Sequence, residues 1–332
     1  MKKRLDLKSY RDGILSGSRV ILSQAITLVE SALESDQAIA SDLIQSLIAH
    51  TGNSIRIGIT GVPGVGKSTF IEAFGKILLN QGKKVAVLAV DPSSQRTGGS
   101  ILGDKTRMEN LSSDKRAFIR PSPSGNTLGG VSGKTREGML LCEAAGFDVI
   151  LVETVGVGQS ETAVKNMVDF FLLLMLAGAG DELQGIKKGI MEMADGLVIH
   201  KADGDNLGPA KTAKSNYQNA LHLLPLAENK WSPEVILASS ISGDGLDKVW
   251  EMIRDFEEKM KAGGFWESNR ANQRLDWLNN QIQLLLQQNF LKNPKVKQLM
   301  ADEKENVQSG RLNPGTLAKN LIDVFLSNQS TS

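Results

Sequence analysis

The chain has 332 residues, of which 41% are apolar and 23% charged, and 38 basic against 37 acidic side chains leave a net charge of +1. That composition suits a soluble globular protein with one large core or two modest domains. It supplies no basic field to attract nucleic acid or an anionic membrane, so neither is expected as a partner.

Cys142 is the only cysteine, which excludes an intrachain disulfide. It lies in Gly138-Met139-Leu140-Leu141-Cys142-Glu143-Ala144-Ala145, a half-buried helical pattern in which it reads as a small hydrophobe. The amino terminus, Met1-Lys2-Lys3-Arg4-Leu5-Asp6, leads into no signal-like apolar core. The longest apolar run, residues 170–179, falls short of the roughly 18 residues that a membrane span requires. A cytoplasmic protein is expected.

Residues 5–50 read as helix. Ile14, Val20, Ile21, Ala25, Leu28, Val29 and Leu33 recur at three- and four-residue steps, and Ile39, Leu43, Ile44, Leu47 and Ile48 repeat the pattern before Thr51-Gly52-Asn53-Ser54 breaks it. From residue 55 short apolar runs alternate with helical stretches: 55–60, 85–90, 117–119, 149–152, 170–176, 196–200 and 235–239. Continuous apolar strands separated by helices predict an α/β fold with a mostly parallel sheet covered on both faces. The tail is helical again, with Leu275, Leu278, Ile282, Leu285, Leu286 and Phe290 on one stripe and a second helix over 314–326. That stripe packs either on its own core or on a second copy of the chain. The expected organisation is a helical extension over 1–52, an α/β domain over 53–263 and a helical arm over 264–332.

Gly61-Val62-Pro63-Gly64-Val65-Gly66-Lys67-Ser68 matches G-x-x-x-x-G-K-[ST] at every fixed position and is followed by Thr69. A predicted strand enters this loop and a predicted helix leaves it, the context that a P-loop NTPase requires. Glycines let backbone N–H groups turn inward around a phosphate, where side chains would block the approach. The helix directs its positive end at the same charge. Lys67 is predicted to reach the β- and γ-oxygens, and the Ser68 hydroxyl to coordinate Mg²⁺.

Asp91 follows the strand 85–90, at the ligand edge of such a sheet, and is a candidate for the magnesium shell. Thr97-Gly98-Gly99-Ser100-Ile101-Leu102-Gly103-Asp104 suits a loop that reorganises, with Asp104 as a second hard-oxygen candidate. In Glu153-Thr154-Val155-Gly156 an acid is placed to reach Mg²⁺ through water, while the Gly156 N–H senses the γ-phosphate. Gln159 is a candidate for orienting the attacking water.

His200-Lys201-Ala202-Asp203 lies where guanine-specific proteins carry Asn-Lys-x-Asp after a strand. A carboxylate at Asp203 accepts both N1–H and the exocyclic N–H of guanine, whereas adenine would leave it facing a lone pair at a cost of about 1–3 kcal/mol. His200 stands in place of asparagine, and its ring can donate to guanine N7 or to the loop backbone, depending on tautomer. Ser239, Ser240 and Ile241 end a further strand whose backbone is available to the base O6.

Taken with Asp91-Pro92-Ser93-Ser94, the Thr97–Met108 stretch (97–108) and Glu153-Thr154-Val155-Gly156-Val157-Gly158-Gln159-Ser160, the phosphate loop resembles that of the methylmalonyl-CoA mutase-associated GTPases, the MeaB/ArgK group. The resemblance runs over nearly the whole chain. It implies a homodimeric GTPase chaperone that escorts an adenosylcobalamin-dependent acyl-CoA mutase, gates cofactor loading by the adenosyltransferase and protects the mutase. It also implies base contacts from Asp203, Ser239, Ser240 and Ile241, a third mobile segment over 178–188, and a dimer contact through the carboxyl-terminal arm. Two other readings remain: a metal-delivery GTPase of the same fold, and a small-substrate kinase or ATPase linked to amino-acid transport. Against the first, Cys142 is alone and His50, His200 and His222 form no ligand-spaced cluster.

Overall fold

The computed structural model describes residues 4–90, 108–120, 128–154, 160–178, 184–225 and 228–327. The chain divides into two compact units, Met1–Gln273 and Arg274–Ser332.

The first unit is built on a seven-stranded parallel sheet: β1 (Ile55–Gly61), β2 (Val85–Val90), β3 (Ala117–Arg120), β4 (Val149–Thr154), β5 (Phe170–Leu176), β6 (Gly196–His200) and β7 (Glu234–Ala238), in the spatial order β3-β2-β4-β1-β5-β6-β7. All seven predicted strands are present. Their apolar runs are continuous because both faces are covered, and alternate residues serve opposite layers. On β4, Val149 and Leu151 join one core, with Phe70, Phe74 and Trp250, while Ile150 and Val152 join the other. On β1, Gly58 leaves room for a helix: a Cβ there would lie 2.8 Å from Phe171 Cδ2 and 2.9 Å from Val164 Cγ1.

The amino-terminal segment forms three helices, α1 (Leu7–Leu15), α2 (Arg19–Glu30) and α3 (Glu34–Leu47). Gly17, at φ +74°, turns the chain after α1, and the Ser18 side chain caps α2 by accepting from Ile21 N. Ile14, Leu22, Leu28, Val29, Leu43 and Leu47 bury themselves in the same core as Ile150, Val152 and Phe171 of the sheet. Val20, Leu33 and Ile48 stay exposed, because each sits beside a helix end rather than on the inward stripe. Cys142 is fully buried in this core, and burial pushes its thiol far above the ordinary value.

At the amino edge of the strands, a buried ion network joins segments distant in sequence. Arg270 donates from Nε and Nη2 to the Asp169 carboxylate at 2.7 and 2.6 Å, and also to the carbonyls of Gly52 and Ser54 at 2.6 Å each. Asp169 accepts in addition from Arg56 N at 2.8 Å. Glu143 accepts from Arg56 Nε and Gly52 N, each at 2.8 Å. Both partners of the Arg270–Asp169 pair are buried, so its worth lies in the completeness of its bonding.

The second unit is helical. The long helix Phe265–Lys292 stops at Asn293, whose side chain caps the next helix, Pro294–Asp302, by accepting from Lys295 N and Val296 N. Pro294 at the first helical position reinforces the break. The helix Pro314–Ser327 matches the predicted second helix and packs Leu317 and Leu321 on Val296. No helix of the described residues is long and apolar enough to cross a membrane.

Removing one partner of a buried pair strands the other charge. Arg270→Met is expected to lower the unfolding free energy by about 3–5 kcal/mol, read by denaturant titration. A loss below about 1 kcal/mol would show that the network is not what holds these segments together.

Candidate nucleotide site

The phosphate loop leaves β1, the central strand, between β4 and β5. Gly61 is needed for a close approach: a Cβ there would meet the Leu174 carbonyl oxygen of β5 at 2.5 Å. Gly66 caps the helix Lys67–Asn80 in the left-handed region at φ +88°, with no side-chain cap on the first turn. The amides of that turn are left to a ligand or to solvent. Val65 is buried, Pro63, Gly64 and Thr69 are exposed, and Val62 is half-buried.

Lys67 Nζ donates to the Gly61 carbonyl at 2.9 Å, across the mouth of its own loop. Burial pushes its ammonium below the ordinary value, opposed by the carboxylates of Glu153 and Glu161. Ser68 Oγ donates to Glu153 Oε1 at 3.2 Å, so the hydroxyl at the start of the helix and the acid at the end of β4 face one point. Behind them, Thr154 Oγ1 donates to Thr60 Oγ1 at 2.9 Å and ties β4 to β1. Glu161, buried at the start of the helix Ser160–Lys165, is a further charge that acts on Lys67, one that no motif of the sequence marks. Its signal was a second carboxylate closing the Glu153–Glu161 stretch (153–161).

Six of the remaining predicted residues gather at the ends of β6 and β7. The Ser239 hydroxyl donates to the Asp203 carboxylate and accepts from Ile241 N at 3.1 Å, which shapes the loop beside that acid. Lys201, at φ +58°, sends Nζ back to the Gly64 carbonyl at 2.9 Å. Ile241 projects into solvent.

His200 joins the two halves. Its Nδ1 lies 2.7 Å from the Val65 carbonyl oxygen of the phosphate loop, and its Nε2 lies 2.7 Å from Ser240 Oγ. Burial pushes the imidazole below its ordinary value, against the bond to Val65, which favours the charged form. A carbonyl only accepts, so the neutral ring carries its proton on Nδ1 and accepts a hydrogen bond from the Ser240 hydroxyl at Nε2. Of the two options that the sequence left for this ring, the loop backbone is the one it contacts.

Asp91, Asp104, Gly156 and Gln159 lie outside the described residues, as does part of the 178–188 segment. Among the described residues, no group of three or more His, Cys, Asp or Glu could hold a metal ion.

The family described as methylmalonyl-CoA mutase-associated GTPase MeaB matches residues 22–295. A putative GTPase of Caulobacter vibrioides is 53% identical over 97% of this chain and 98% of its own length. The mouse methylmalonic aciduria type A homolog, a mitochondrial protein, is 46% identical over 95% of this chain and 78% of its own. A crystal structure of an LAO/AO transport system kinase superposes with a TM-score of 0.76 at 39% identity, covering 98% of this chain and all of that one. With the family match over residues 22–295 and relatives of this closeness, the chain belongs to the MeaB family of GTPases.

Proposed function

We propose that this GTPase is a chaperone for an adenosylcobalamin-dependent acyl-CoA mutase of the methylmalonyl-CoA mutase type, gating cofactor loading from the adenosyltransferase and protecting the mutase. The observation that supports the nucleotide half is the His200 bridge, which ties Val65 of the phosphate loop to Ser240, next to the Ser239 hydroxyl that bonds the Asp203 carboxylate. The client half is supported by family membership and by the mouse relative's name. Function in the cytoplasm belongs to the same proposal.

The residues present fit a magnesium ion. Ser68 Oγ and Glu153 Oε1 are hard oxygens 3.2 Å apart, and so few protein ligands suit a cation that keeps waters and takes the rest of its shell from phosphates. Ser68 would hold it directly and Glu153 through water, with Asp91 and Asp104 completing the protein's share. When bound, it would neutralise the negative charge that develops on the phosphates.

Water attacks the γ-phosphorus in line as the bond to the β–γ bridging oxygen breaks, giving GDP and phosphate. Residues 61–66, apart from Pro63 which has no N–H, cradle the phosphates by their amides, Lys67 turns from the Gly61 carbonyl to the β- and γ-oxygens, and the Thr69 amide continues the cradle. Gly156 N–H reports the γ-phosphate and Gln159 orients the water. Asp203 reads the guanine, with Lys201, Ser239, Ser240 and Ile241 framing it.

Lys67→Ala is expected to lower turnover at saturating GTP by at least about tenfold, roughly 1.4 kcal/mol of transition-state stabilisation. Unchanged turnover would remove Lys67 from the chemistry. For the chaperone role, the chain immobilised with a non-hydrolysable GTP analogue should retain an adenosylcobalamin-dependent acyl-CoA mutase. Failure to bind such a mutase in any nucleotide state counts against the role.

The arm supports a homodimer. Leu275, Leu278, Ile282 and Leu285 follow a three-four-three spacing on the helix Phe265–Lys292, and each is 46–59% exposed, as is Leu286 at 58%. Such a stripe suits a helix packed on a second copy. Changing Leu278 and Leu285 together to Asp should convert a dimer to a monomer in sedimentation velocity, and a wild-type monomer at micromolar concentration would refute the assignment.

A further inference from the structure

Guanine presents two acceptors on its outer edge, O6 and N7, besides the donors that a carboxylate reads. An imidazole has two nitrogens and no more. Here Nδ1 donates to the Val65 carbonyl at 2.7 Å and Nε2 meets Ser240 Oγ at 2.7 Å. In the neutral ring, the single N–H is spent on Val65. In the charged ring, the second N–H would go to the Ser240 oxygen, which turns to accept it. Neither state leaves a donor over.

The ring is also held in place. It is 2% exposed, stands perpendicular to Phe70 at 5.7 Å, and lies against Gly66, where a Cβ would meet its Cε1 at 3.2 Å. A rotation that offered either nitrogen to a ligand would break both bonds and press on the phosphate loop. An asparagine at the same position differs in one respect that matters: it carries two N–H groups and a carbonyl. It can donate to Val65, accept from Ser240 and keep a second N–H for the base.

We infer that His200 is a positioning residue which leaves purine N7 unread, so that this GTPase selects guanine without a contact to N7, chiefly through Asp203, and tolerates replacement of N7 by carbon. The inference rests on the reading of Asp203 as the guanine carboxylate.

The test is competition of GDP and 7-deaza-GDP against a fluorescent GDP at pH 7.5, with the full chain. The wild-type protein should bind the two within about twofold of each other, well under the worth of one hydrogen bond. His200→Asn should favour GDP by about three- to tenfold, the worth of a recovered hydrogen bond to N7. A wild-type penalty of about threefold or more against 7-deaza-GDP overturns the inference. A ratio that stays near one in His200→Asn overturns the assignment to His200. The wild-type ratio needs no variant to fold. The underlying base site is checked separately with XDP: Asp203→Asn should exchange a preference for GDP for one for XDP. Equal binding of GDP and XDP by the wild type would sink the Asp203 reading itself rather than the N7 inference drawn from it.

Discussion

Parallel strands cannot be joined by tight turns, so the chain crosses over between one strand and the next, and every strand delivers its following loop to the same edge. The chemistry of this protein hangs from that constraint. Gly61 at the end of β1, Glu153 near the end of β4, His200 ending β6 and Ser239 just beyond β7 come from four stretches of sequence, yet they share one rim of one sheet. The helix Lys67–Asn80 adds its amino end at the centre of that rim.

The opposite rim does different work. There the Arg270–Asp169 pair and the Arg56–Glu143 pair satisfy the backbone around Gly52 and Ser54, where the amino-terminal helices pass into β1. A parallel sheet exposes ladder ends at both rims. This protein spends charged side chains on sealing one of them and leaves the other to ligands. The separation lets nucleotide chemistry proceed at one rim while the other keeps the helical extension and the sheet in a single core.

His200 illustrates how a substitution changes what a site can read without changing how it is built. An asparagine and an imidazole both span the gap between a carbonyl of the phosphate loop and a hydroxyl of the neighbouring loop. The imidazole does so with a rigid ring wedged against Gly66 and Phe70, and it has no hydrogen-bonding capacity left. A contact to the base is forgone. Lys201, reaching back to Gly64, adds a second tie between the end of β6 and the phosphate loop.

Much was legible in the sequence because it depends on local rules. Strand-length apolar runs, the spacing of Gly61, Gly66, Lys67 and Ser68, and the break at residues 51–54 follow from backbone geometry and periodicity, and they specify an α/β P-loop fold with helical extensions. The break between Glu30 and Glu34, the cap at Asn293 and the exposure of Val20 were not legible, since each is decided by which face meets a neighbour. Nor could the sequence show that Glu161 lies near Lys67, or that both nitrogens of His200 are spent on Val65 and Ser240. Those facts belong to the tertiary structure for one physical reason: a side chain's partner is whatever the fold brings within about 3 Å, and residues 135 positions apart in the chain, such as Val65 and His200, meet only after the sheet has formed.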